Sequence, residues 1–142
     1  MGTANCFVCG RDNPHGLHVT FESVGDGEVA AIYRCTETMA GWPGIQHGGI
    51  TAALLDEASA YVPYYMGLTA VTARLDIRYH QPIRVGEWLR VTGKLTRQTS
   101  RLIETESRIT GENGELKAQA TASMMILSRK QQEKIGLANA DP

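Results

Sequence analysis

Ile50-Thr51-Ala52-Ala53-Leu54-Leu55-Asp56-Glu57-Ala58-Ser59-Ala60-Tyr61-Val62-Pro63-Tyr64-Tyr65 is a long apolar stretch, entered through His47-Gly48-Gly49. At about 100° per residue, Ile50, Leu54, Ala58, Tyr61 and Tyr65 share one face of a helix. Leu55 and Val62 cover a neighbouring flank, and Ala52, Ala53 and Ala60 line another side. A helix that is apolar or small nearly all round is expected to be buried. Pro63 should kink or end it. The rest of the chain reads as strand. Leu17, Val19 and Phe21 alternate with polar residues, Gly25-Asp26-Gly27 signals a hairpin, and Val29 to Cys35 is the return. After Gly67 come Val71 to Tyr79, then Leu89, Val91 and Leu95, then Ile103, Thr105, Ser107 and Ile109. Glu112-Asn113-Gly114 is a turn before the alternating run Leu116 to Ile126. Two strands, one buried helix and four strands leave no crossover helices for a doubly wound sheet. The pattern predicts an α+β arrangement, one antiparallel sheet curling around one helix.

Size and composition narrow the function. The chain has 142 residues, the length of one domain, and is read as a single domain over 1–142. At this length folding buries about 68–70% of the unfolded surface, which leaves little to enclose a deep pocket within one subunit. Hydrophobic residues are 42%, charged residues 20% and the net charge −1. That balance argues against disorder and supplies no general basic field for nucleic acid. No run approaches the roughly 18 apolar residues of a membrane helix, and no signal peptide is visible, so no membrane partner and a cytoplasmic location are expected. The 15 glycines exceed the usual share and imply tight turns or close backbone approaches.

Three cysteines fit a reducing compartment better than a disulfide framework. Cys6, Cys9, His15 and His18 have the residue types of a four-ligand zinc site. The H-x-x-H spacing is tighter than in the usual finger, however, and no helix carries it. The expectation is a turn-rich knuckle over 1–16 with no metal and no cofactor. A polar tail from 129 to 142 is expected to add a short helix or fray.

The chain lacks a G-x-S-x-G elbow, a P-loop and a G-x-G-x-x-G motif. Chemistry is therefore sought on the helix. Asp56 and Glu57 stand in a segment with almost no other polar side chains, and a carboxylate in an apolar setting is a general-base or nucleophile candidate. Glu57 falls on the large-residue face. Asp56 falls on the alanine side, where a substrate could approach closely, and is preferred. Gly48 and Gly49 offer backbone N–H groups at the positive helix end, an oxyanion hole in prospect. His47 is read as a general acid, a positioning donor or a capping side chain. Asp56 lies eight residues beyond Gly48, about 12 Å along the axis. One acyl carbonyl cannot touch both from a single helix, so a shared site requires two subunits with antiparallel helices.

His47-Gly48-Gly49-Ile50-Thr51-Ala52-Ala53-Leu54-Leu55-Asp56 resembles the HGG…D segment of hotdog-fold acyl-CoA thioesterases of the PaaI-like type. Thr69 to Ala73 and Ile77-Arg78-Tyr79 resemble that family's next strand, and Gln81-Pro82 with Gly86-Glu87 its P…G-[ED] turn. Cys6 to Gly10 with Asn13-Pro14-His15-Gly16-Leu17 resembles the N-terminal signature of a subgroup. The resemblance implies a hotdog fold with a long central helix wrapped by a curved antiparallel sheet. It implies dimers, commonly paired into tetramers, and metal-free hydrolysis of an aryl- or fatty acyl-CoA. Carried over by position, Asp56 attacks the thioester or activates water, Gly48 polarises the carbonyl, and His47 supports the thioester end. Thr72 orients the water or the carboxylate, while Gly49 and Gln46 are assigned to substrate binding. Many relatives carry Asn or Gln where this chain has Gly41, with Gln46 as a possible substitute. That departure keeps open a non-catalytic acyl-CoA-binding module; the hydratase branch uses a different Asp/His arrangement.

Overall fold

A computed structural model describes residues 4–137. The outermost parts of the N-terminal knuckle and the polar tail, residues 1–3 and 138–142, lie outside the described residues. The strands are β1 (Glu22–Gly25), β2 (Glu28–Arg34), β3 (Ala70–Tyr79), β4 (Trp88–Gln98), β5 (Leu102–Gly111) and β6 (Leu116–Ile126). The long helix α1 (Gly48–Tyr65) lies between β2 and β3, and a short α2 (Arg129–Lys134) follows β6. The strands form one antiparallel sheet in the order β1-β2-β4-β5-β6-β3. This is the hotdog fold: a curved sheet wrapped around one long helix.

Hydrophobic burial explains the wrap. Leu54, Leu55 and Ala58 are fully buried and meet the alternating inner faces of β4, β5 and β6, including Val91, Ile109, Ala118 and Ala120. Fully burying one such leucine is worth about 1.5–3 kcal/mol. Alanines on β6 and Gly93 on β4 keep that face shallow enough for a helix. A Cβ on Gly93 would stand 2.6 Å from the Ala58 carbonyl oxygen, so the strand could not approach α1 this closely with any other residue. Pro63 ends the helix rather than kinking it mid-course: α1 stops two residues later, capped by the Met66 N–H on the Pro63 and Tyr64 carbonyls.

Leu17 to Phe21 is not a strand, although Val19 and Phe21 are buried as the alternation requires. Its N–H groups turn to the knuckle instead, Leu17 donating to the Phe7 carbonyl and Val19 to that of Val8. The hairpin strand therefore begins later, at Glu22. Among the described residues no helix is long and apolar enough to cross a membrane.

Two features of the sheet matter for the site. β3 is an edge strand, ten residues long, whose residues are all exposed or only half-buried. It also carries a register irregularity between Thr72 and Arg74, the kind of bulge that re-aims side chains.

Candidate active site

The start of α1 is built by a loop that doubles back on itself. The His47 N–H donates to the Met39 carbonyl, the Gly41 N–H to that of Ile45, and the Gln46 N–H to that of Ile83. His47 is the N-cap, its extended backbone (φ −60°, ψ 134°) letting Nδ1 accept from the Gly49 N–H at 2.8 Å. Of the three expected roles for His47, capping is the one its contacts display. The Gly48 carbonyl accepts from the Tyr79 hydroxyl at 2.8 Å. The Gly48 N–H has no acceptor among the described residues and stands at the exposed positive end of the helix. Gly48, not Gly49, thus retains a donor for a ligand oxygen.

Asp56 is bonded across to the neighbouring strand. The Thr72 hydroxyl donates to Asp56 Oδ1 at 2.6 Å, a short charge-assisted hydrogen bond. This fixes one carboxylate oxygen and leaves Oδ2 for chemistry. The expectation of a buried Asp56 needs correcting. Asp56 is only half-buried, along with Ala52, Ala53 and Ala60, because this stripe of α1 lies toward the exposed edge strand β3, whose Thr72 it meets. Glu57 is the buried carboxylate, as its place on the large-residue face requires. Burial pushes the Glu57 carboxyl above the usual carboxylate range, against hydrogen bonds from Cys6 and Cys9 that lower it.

The two halves of the site do not meet in one chain. α1 is continuous from Gly48 to Asp56, so about 12 Å of helix rise separates them. A shallow groove beside Gly48 is lined by Gln46, Thr51, Tyr79, His80 and Pro82, with no contribution from Asp56.

Gln46 is turned inward. Its Oε1 accepts from the Tyr33 hydroxyl at 2.9 Å and its Nε2 donates to Thr51 Oγ1 at 2.8 Å. In this structure it braces the loop, since both ends of its amide are engaged and it is buried. Gly41 lies against His47: a Cβ there would come within 3.1 Å of the histidine Cα and Cδ2. The space a longer residue would occupy is filled by the His47 ring. The suggested zinc quartet is not assembled. His15 and His18 are exposed, His18 Nε2 lying 2.7 Å from the Asn13 carbonyl oxygen, while Cys6 and Cys9 turn toward Glu57. Tyr79 and this link between knuckle and helix were missed from sequence. A mid-helix glutamate on an apolar face, with a C-x-x-C upstream, was the available signal for the second.

A family model described as "Thioesterase superfamily" matches residues 43–118, which run from the loop before His47 into β6. No curated protein matches the chain. A solved structure of a thioesterase superfamily protein is 32% identical, covering 83% of this chain and 61% of that one at a TM-score of 0.79. The PaaI protein of the E. coli phenylacetic acid degradation operon is 22% identical, covering 79% and 81% at 0.75. A hypothetical thioesterase from Streptococcus pneumoniae, solved with coenzyme A, is 24% identical, covering 78% and 86% at 0.74. Two further structures of a S. pneumoniae hypothetical thioesterase carry alanine in place of an aspartate and of a threonine, which lie sixteen residues apart in that chain.

Proposed function

The chain belongs to the thioesterase superfamily, and on that footing we propose that it hydrolyses an aryl- or fatty acyl-CoA to the free acid and CoA, at sites built between two copies of the chain. The observation that carries this reading is the pairing of Thr72 with Asp56 at the half-open face of α1, a helix rise away from the unpaired Gly48 N–H. A second copy related by a two-fold axis, its α1 antiparallel, brings its Gly48 to this chain's Asp56. The exposed edge of β3 supports such pairing, because an uncovered edge strand offers a row of backbone donors and acceptors. The aspartate–threonine spacing of the S. pneumoniae protein equals that of Asp56 and Thr72.

In this reading the Gly48 N–H polarises the thioester carbonyl and stabilises the oxyanion that forms on it. The Asp56 carboxylate then acts in one of two ways. As nucleophile it forms a mixed anhydride and expels CoA thiolate, and water hydrolyses the anhydride. As general base it takes a proton from the attacking water. Thr72 positions the carboxylate, His47 and Gly49 shape the helix start under the thioester, and Gln46 braces the loop beneath them. We assign the chain to the PaaI-like branch and the subgroup marked by Cys6 to Gly10 and Asn13 to Leu17, with residues 1–142 as one hotdog unit. In the same reading, dimers pair into tetramers and the protein works in the cytoplasm.

The test is thiol release from a panel of aryl- and fatty acyl-CoAs. Turnover unchanged in Asp56→Ala would sink the mechanism. The second reading, an acyl-CoA-binding module without turnover, is favoured by Gly41, which offers no side-chain amide to the ligand. Tight acyl-CoA binding with no thiol released would establish it instead.

A further inference from the structure

The N-terminal knuckle carries a group of atoms that the thioesterase reading does not use. Cys6 Sγ, Cys9 Sγ and a Glu57 carboxylate oxygen lie within 4.8 Å of one another, and the Cys6 thiol donates to Glu57 Oε2 at 3.0 Å. We propose that Cys6, Cys9 and Glu57 bind one zinc-class divalent cation, which clamps the knuckle to α1.

The backbone around the two cysteines is built to hold them. The Gly10 N–H donates to the Cys6 carbonyl at 2.9 Å, and the Asp12 N–H to the Ala4 carbonyl at 2.8 Å. A Cβ at Gly10 would fall 2.4 Å from the Cys6 N and 2.5 Å from the Ala4 carbonyl oxygen, so only glycine closes this turn. Val8, between the cysteines, is buried in the core and fixes the turn against the helix. The third donor arrives from 51 residues away in sequence, on a rigid helix.

The ligand geometry fits. Zn–S bonds of about 2.3 Å and Zn–O bonds of about 2.0–2.2 Å set tetrahedral edges of roughly 3.5–3.8 Å. The Cys6–Glu57 separation of 3.0 Å need open by only about half an ångström to reach that value, and the other pairs, within 4.8 Å, need close by no more than about 1.3 Å. Two thiolates with one carboxylate suit a borderline-soft ion rather than Mg2+ or Ca2+. Charge points the same way. Glu57 is buried and no ion pair among the described residues reaches it, so a cation would supply the opposite charge that a buried carboxylate needs to ionise. On binding, the S–H···O hydrogen bond is replaced by metal–sulfur and metal–oxygen bonds, and the thiol protons leave to solvent. Water completes the coordination.

The site is separate from the proposed chemistry. Successive helix residues point about 100° apart, so Glu57 faces the knuckle while Asp56 faces Thr72. The cation's role is therefore structural. It ties residues 6–9 to the turn of α1 that presents Asp56.

The test uses the full chain, reduced and stripped with a chelator, then titrated with Co2+. The expected result is a thiolate-to-cobalt charge-transfer absorption that saturates at one ion per chain, is displaced by Zn2+, and accompanies a rise in thermal midpoint. Cys9→Ser should abolish the absorption. Glu57→Gln should weaken Co2+ binding while His15→Ala and His18→Ala leave it unchanged. The proposal is overturned if the reduced wild-type protein shows no charge-transfer band, whether or not Cys6 and Cys9 form a disulfide in air. It is equally overturned if a folded Glu57→Gln binds Co2+ as tightly as wild type, or if binding requires His15 or His18. The wild-type titration alone decides the matter should the Glu57 variant fail to fold. Absence of cobalt binding would leave Asp56-dependent thiol release untouched, so the two readings fail separately.

Discussion

Replacing Gly48 by proline removes one N–H group and little else. Gly48 is the first residue of α1, and its N–H is one of those that no helix carbonyl accepts. Proline is favoured at this position because its fixed φ suits the helix and its missing N–H was unpaired anyway. The residue before it, His47, already has the extended conformation that proline demands of its predecessor. A Cβ at position 48 meets nothing closer than the Tyr79 ring at 3.7 Å. Stability should therefore shift by less than about 1 kcal/mol, in the favourable direction. If the N–H polarises the thioester carbonyl, its loss raises the barrier by about 2.7–4 kcal/mol, or about 10²–10³ in kcat. The assay is CoA release with a chromogenic thiol reagent, alongside a thermal midpoint by circular dichroism. Co-expression extends the test to the two-chain site. A dimer of one Gly48→Pro chain and one Asp56→Asn chain has one site with both defects and one with neither. Random pairing should then recover about one quarter of wild-type turnover, since half the dimers are mixed and each has one intact site. A folded Gly48→Pro protein with unchanged kcat, or mixed dimers no better than either parent, would refute the reasoning.

Thr72→Val keeps the side-chain shape and deletes the 2.6 Å bond to Asp56; kcat should fall about tenfold with KM little changed, the lower end for a hydrogen bond to a charged group that is half-exposed. Gly93→Ala drives a methyl group into the Ala58 carbonyl and should cost about 1–3 kcal/mol in urea unfolding. Leu54→Ala, at a fully buried position, should cost about 2–5 kcal/mol in the same assay. Gly41→Asn should displace the His47 ring and loosen the helix cap at a cost of about 1 kcal/mol, seen as a lower thermal midpoint.

What the sequence by itself determined was the order of elements and the faces of the helix. Both follow from periodicity, which is local. The alternation in β4, β5 and β6 and the large-residue stripe of α1 are each legible within a dozen residues, and the turn glycines mark where strands end. The separation of the two candidate groups was legible for the same reason, because eight residues between Gly48 and Asp56 fix their distance along a rigid helix.

Tertiary structure alone decided which groups face one another. Leu17 to Phe21 has the alternation of a strand, but hydrogen bonds to the knuckle took its backbone. Asp56 and Glu57 are neighbours in sequence, yet the knuckle meets Glu57, which is buried, while Asp56 meets the exposed edge strand β3 and stays half-open. Gln46 is expected from the resemblance to bind substrate, but Tyr33 and Thr51 engage both ends of its amide. Cys6 and Cys9 pair with Glu57 rather than with the nearer His15 and His18, because a packed valine and a tight glycine turn aim their sulfurs at the helix. Contacts between residues far apart in the chain depend on the summed packing of the core, and no local pattern encodes that sum.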